Sequence, residues 1–129
     1  TGIRITRRYE KLGFNIDAVS YQGKTFPVTE RIVDEMPFCN LVHFKREGVS
    51  SDNKVLLVAP LSGHHATLLK GTVEALLEDH EVFITDWADA REVPVTDGTF
   101  SFDRYVTYLI NYLEFFIFLN FFKVIFFNF

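Results

Sequence analysis

The stretch Lys54-Val-Leu-Leu-Val-Ala-Pro60-Leu-Ser-Gly-His64-His-Ala-Thr-Leu-Leu-Lys-Gly-Thr-Val-Glu-Ala-Leu-Leu-Glu-Asp-His80-Glu-Val-Phe-Ile-Thr-Asp86-Trp87 decides the fold. Val55 to Ala59 is short, wholly apolar and rich in β-branched side chains, as a parallel strand buried on both faces must be. Pro60 and Gly63 end it. From Ala66 the apolar positions fall at Leu69, Val73 and Leu76, with Leu68 and Leu77 widening the stripe, so a helix with one buried face is expected. Val82 to Thr85 reads as a second strand. Strand, crossover helix and strand make a right-handed βαβ unit, whose ligands gather at the carboxyl ends of the strands. Those ends carry Leu61-Ser62-Gly63-His64-His65 and Asp86-Trp87.

Working outward, Phe14, Ile16 and Ala18 alternate with polar residues, Tyr21-Gln-Gly-Lys24 has turn chemistry, and Phe26 to Val33 resumes an extended pattern. These segments predict an antiparallel lead-in, with Phe38 to Phe44 as a further strand. The polar run 45–53 connects it to the βαβ unit. After Trp87 a loop through Pro94 and Gly98 leads to a helix capped by Ser101, with Asp103 in its first turn where the helix dipole favours a carboxylate. Its buried stripe is expected at Val106, Leu109, Ile110 and Leu113. There is no internal repeat.

With 129 residues and 48% hydrophobic content the chain can form one domain with a core. A net charge of -4, with Arg7-Arg8 and Lys45-Arg46 as the basic doublets, excludes a nucleic-acid surface, which needs clustered cations. The single cysteine, Cys39, precludes an intrachain disulfide and suits a reducing cytoplasm, the expected localisation. The start has no apolar run of signal-peptide length, and because it lacks Met the chain is expected to be incomplete there.

Pro60-Leu-Ser-Gly-His-His-Ala-Thr-Leu-Leu-Lys-Gly-Thr-Val-Glu-Ala-Leu-Leu and Val82-Phe-Ile-Thr-Asp-Trp-Ala-Asp-Ala-Arg91-Glu-Val-Pro resemble the intracellular polyhydroxyalkanoate (polyhydroxybutyrate) depolymerases. So do Pro37-Phe-Cys-Asn-Leu-Val-His-Phe44 and Phe102-Asp-Arg-Tyr-Val-Thr-Tyr-Leu-Ile110, which makes the likeness collinear from about Arg8 to Leu113. The resemblance implies an α/β-hydrolase that cleaves the esters of a stored polyester with a cysteine nucleophile. It implies a partial α/β-hydrolase fold here: antiparallel lead-in strands plus the first βαβ unit over residues 1–114, truncated before the nucleophile elbow. The related polyester synthases share the hydrolase fold, but the Ser62 to Thr67 loop is closer to the depolymerases.

From Phe115 the chain reads Phe-Phe-Ile-Phe-Leu-Asn-Phe-Phe-Lys-Val-Ile-Phe-Phe-Asn-Phe129, which holds more than half of its 15 Phe. Codons built from A and T encode such residues, so 115–129 reads as a frame-shifted or non-native tail. Neither the next buried strand nor the cysteine-bearing turn is expected in it. Taken instead as native, the stretch from Val106 to Phe129 is long enough to cross a bilayer as a helix, which needs about 20 residues. Asn111, Glu114, Asn120, Lys123 and Asn128 oppose insertion. A membrane partner therefore follows only from a native tail.

No catalytic residue is expected in this chain. Ser62 stands beside His64, yet Gly-x-Ser-x-Gly is absent. The loop after the first parallel strand of an α/β-hydrolase supplies an oxyanion-hole N–H, and Leu61, Ser62, Gly63 and His64 are the candidates for it. Asp86 and Trp87 are candidate strand-end substrate contacts, in a polar cluster with Asp89 and Arg91. His64 and His65 diverge as neighbours and have no ligand partner at metal spacing, so neither a metal nor any other cofactor is expected. Cys39 reads as a small core residue, His43 as a strand residue and His80 as a surface turn residue. The implied partner is a polyhydroxyalkanoate polymer or granule surface, together with a completing chain or a second copy to cover the open sheet.

Overall fold

The computed structural model describes residues 14–61, 69–88, 101–118 and 123–127. A mixed sheet of six strands, in the order β1-β2-β3-β5-β4-β6, is flanked by two helices. The strands are β1 (Ala18–Tyr21), β2 (Lys24–Met36), β3 (Cys39–Arg46), β4 (Lys54–Val58), β5 (Glu81–Trp87) and β6 (Lys123–Phe126). The helices are α1 (Lys70–Leu76) and α2 (Phe102–Phe118).

The lead-in is antiparallel as expected: β1 pairs with β2, β2 with β3 and β3 with β5. Gln22 and Gly23 turn the first hairpin with both φ values positive (50° and 78°), the pairing that lets a two-residue loop follow the strand twist. The alternation Phe14, Ile16, Ala18 does not carry into β1, where Val19 is buried and Ala18 exposed. The phase shifts at Asp17 and Ala18, two successive exposed residues. β2 slips register between Ile32 and Asp34, a bulge that leaves Val33 in solvent.

β4 and β5 pair in parallel through α1, which gives the expected βαβ unit. The chain then crosses back over β4 through α2, and β6 pairs parallel with the other edge of β4. Right-handed crossovers running in opposite directions along a sheet put their helices on opposite faces. On one face Phe83 meets Phe116 at 4.7 Å between ring centroids, and Trp87 meets Tyr105 at 5.0 Å. On the other, Val55, Leu57, Val82 and Ile84 are buried with Val73 and Leu77, and Phe14 stands edge-on to Phe44 at 5.0 Å.

Three expectations are corrected. The buried face of α2 is Tyr108, Tyr112 and Phe116, with Tyr105, Leu109 and Leu113 partly covered, while Ile110 is half in solvent. The tyrosines win because their rings bury more area than Val or Ile and stack under Trp87 and Phe38. Second, α2 runs through Glu114 without interruption, and a further strand does follow it. β6 is an edge strand with Val124 half-buried, and the Phe127 N–H donates to the Val58 carbonyl at 3.0 Å. Third, α2 ends at Phe118 and Lys123 to Phe126 form a strand, so no continuous helix covers Val106 to Phe129. No helix among the described residues is long and apolar enough to cross a membrane.

Candidate functional site

From β4 the chain crosses through α1 to β5 on one side, and from β5 it crosses back through α2 to β6 on the other side of β4. β4 is therefore where the strand order reverses, and a crevice is expected outside its carboxyl end. That end is anchored by its neighbour. Ala59, one residue past β4, donates its N–H to Thr85 Oγ1 at 2.9 Å and accepts from Trp87 Nε1–H at 3.0 Å. Both side chains of β5 face α2, and both bonds are buried. The chain leaves this clamp through half-buried Pro60 and exposed Leu61 (47%). Of the oxyanion-loop candidates, Leu61 thus follows two residues after this tethered strand end; Ser62, Gly63 and His64 lie outside the described residues, as do His65, Asp89 and Arg91.

Trp87 is 2% exposed, with its ring tilted against Tyr105 and Tyr108, so it lies in the core and its polar edge serves Ala59. Asp86 points to the opposite face and pairs in register with Asn40, whose other neighbour is Glu35. Asn40 is wholly buried, and among the described residues neither of its side-chain polar atoms has a hydrogen-bond partner. Burial, and then the charge of Asp86, raise the Glu30 carboxyl above its ordinary range.

Cys39 is wholly buried, and its thiol donates to the Asn40 carbonyl at 3.4 Å. Burial raises the nearby Tyr112 and Tyr105 hydroxyls, with the Cys39 thiol as the next contribution. This is a small core residue, as expected, under a lid of tyrosines.

At the amino end of β5 lies a polar group that sequence reasoning missed. Glu81, buried, receives His43 Nε2 at 2.9 Å and the Ser51 N–H at 3.1 Å, and Lys54 Nζ stands 3.9 Å away. The His43 ring lies flat on Phe83, centroids 4.3 Å apart. Burial lowers the His43 pKa, against the raising effect of Glu81. Its place, at the end of the sheet opposite the carboxyl ends of β4 and β5, makes it a clamp on the 45–53 connection. Only the run of polar residues there hinted at it.

His80 is not a surface residue: it is 8% exposed, roofed by Lys123 of β6, with Nδ1 on Asp79 and the Leu76 carbonyl. The tail, which sequence reasoning set aside, is what covers it. Among the described residues no group of three or more His, Cys, Asp or Glu side chains is arranged to hold a metal. No family model, no curated protein and no solved structure matches the chain.

Proposed function

We propose that this chain is the amino-terminal part of an α/β-hydrolase domain of the intracellular polyhydroxyalkanoate depolymerase type, contributing the sheet and the oxyanion side of a polyester-cleaving site. The observation that carries the reading is the fixed carboxyl end of β4. Ala59 is held on both its N–H and its carbonyl at the strand-order reversal, immediately before the segment with the depolymerase-like Pro60-Leu-Ser-Gly-His-His65. A loop that stabilises an oxyanion must be presented by a backbone that does not yield as charge develops, and a doubly tethered strand end provides that. The antiparallel lead-in and the βαβ unit agree with the arrangement the resemblance implies.

By itself the chain does not hydrolyse esters. Cys39 is sealed in the core and Ser62 has no elbow pattern, so neither is set up as a nucleophile that forms an acyl intermediate. The test pairs binding with turnover. The chain is expected to sediment with amorphous polyhydroxybutyrate granules and not with inert latex, while releasing no product from them or from p-nitrophenyl esters. Equal retention on latex overturns the polyester reading. Turnover that survives both Ser62→Ala and Cys39→Ala overturns the site assignment.

A second reading has one observation in its favour. Phe102, Ile117, Phe118 and Phe126 are exposed, Phe118 at 85%, and would suit a non-catalytic module resting on a lipid or polymer surface. Flotation with neutral lipid vesicles that Phe118→Ser abolishes would favour it.

A further inference from the structure

We propose that His80 and Lys123 form an acid-sensitive latch that holds β6 on the edge of β4. His80 sits at the turn between α1 and β5. Its Nδ1 lies 3.2 Å from the Leu76 carbonyl and 2.5 Å from Asp79 Oδ1, both acceptors, so Nδ1 carries the proton. Its Nε2 lies 3.3 Å from Lys123 Nζ, which can only donate. The contact therefore requires a neutral ring with a lone pair on Nε2. Adding a proton there removes the acceptor and sets an imidazolium against an ammonium at the same separation.

The charged groups around the ring fix the direction. Asp79, on its own turn, is an acceptor for the protonated form and remains so after the change. Lys123, from β6, is the group repelled. Glu81 and Lys54, at the heads of β5 and β4, are engaged with His43 and Ser51 and with the Ser51 carbonyl. Protonated His80 thus keeps its partner on the body of the protein and loses the one on β6.

β6 is poorly placed to absorb that loss. It is four residues long and, among the described residues, lies at the edge of the sheet and pairs with β4 alone, through Val55↔Lys123 to Val58↔Phe126. Lys123 begins the strand, so repulsion acts where the pairing starts. Release would uncover the edge of β4, the strand whose far end leads into residues 62–68.

Hydrogen exchange of the full chain tests this, with amide protection factors for residues 124–127 compared with those of β5. Between about pH 8 and about pH 5.5, protection of β6 is expected to fall about fivefold relative to β5. The fivefold corresponds to one lost hydrogen bond. His80→Gln and Lys123→Met, which remove the imidazole and the ammonium respectively, should each abolish the pH response of β6. Unchanged protection in the wild type overturns the latch. So does a fall in both variants equal to the wild type's, which would assign the acid response to another group such as His43.

Discussion

The indole N–H of Trp87 donates to the carbonyl of Ala59 at 3.0 Å, tying the last residue of β5 to the first residue beyond β4. Thr85 closes the same knot from the other side by accepting the Ala59 N–H at 2.9 Å. Ala59 lies beyond the last paired residue of β4, and among the described residues neither of its backbone groups has a strand partner. Two side chains on one face of β5 replace what the sheet no longer offers.

Breaking either half should cost stability. Thr85→Val keeps the shape of a wholly buried side chain and leaves the Ala59 N–H unpaired, at about 1–3 kcal/mol. Trp87→Phe strands the carbonyl instead and removes part of a large buried ring, so its cost should be at least that of Thr85→Val. Urea unfolding of the single and double variants measures both. The double variant should cost less than the sum of the two, because they act on one residue.

His43 gives stability a pH dependence of known sign. Its pKa in the folded chain is lowered, with burial as the largest cause, so the unfolded chain binds the proton more tightly. Stability from the neutral ring is therefore complete above the ordinary histidine value of 6.5 and is lost as pH falls from there through the folded pKa. Thermal unfolding at successive pH values should show this acid limb, and His43→Gln, which can still donate to Glu81, should flatten it.

The hairpin turn offers a gain. Gln22 holds φ at 50°, a region in which a long side chain is strained and Asn is much better tolerated. Its hydrogen bond to the neighbouring Tyr21 hydroxyl is exposed and of little worth. Gln22→Asn is expected to raise stability by about 0.5–1 kcal/mol, read as a higher urea midpoint at unchanged slope.

The central strands were legible because burial on both faces demands unbroken apolar runs, and Val55 to Ala59 and Val82 to Thr85 have them. The Ser101 cap was legible for a local reason: its side chain accepts the Arg104 N–H three residues on, at 3.2 Å. Long-range pairing was not legible. Glu81 finds His43 and Ser51 at sequence separations of 38 and 30, and nothing local marks it as the carboxylate that will be buried. The phase of α2 was misread by giving Val106 and Ile110 precedence over Tyr108 and Tyr112. A tyrosine can turn its ring to Trp87 or Phe38 and hide its hydroxyl, as Tyr108 does by accepting the Phe38 N–H at 3.3 Å. The oxyanion-loop candidates beyond Leu61 rest on the sequence, since they fall outside the described residues.

The Phe-rich end is where composition and packing diverge most, and it yields the sharpest contrast between neighbours. Phe116 is wholly buried, with its ring edge-on to Phe83, whereas Phe118 is almost wholly exposed on the same helix. If α2 is part of the folding unit beyond Glu114, Phe116→Ala should cost about 3–5 kcal/mol by opening a cavity beneath the sheet. Phe118→Ala should stay within about 0.5 kcal/mol, as exposed substitutions do. A denaturation series that gives both variants the same small effect would detach 115–118 from the core. The expected gap between them would instead make one aromatic ring of the tail as necessary to the sheet as any residue of the βαβ unit.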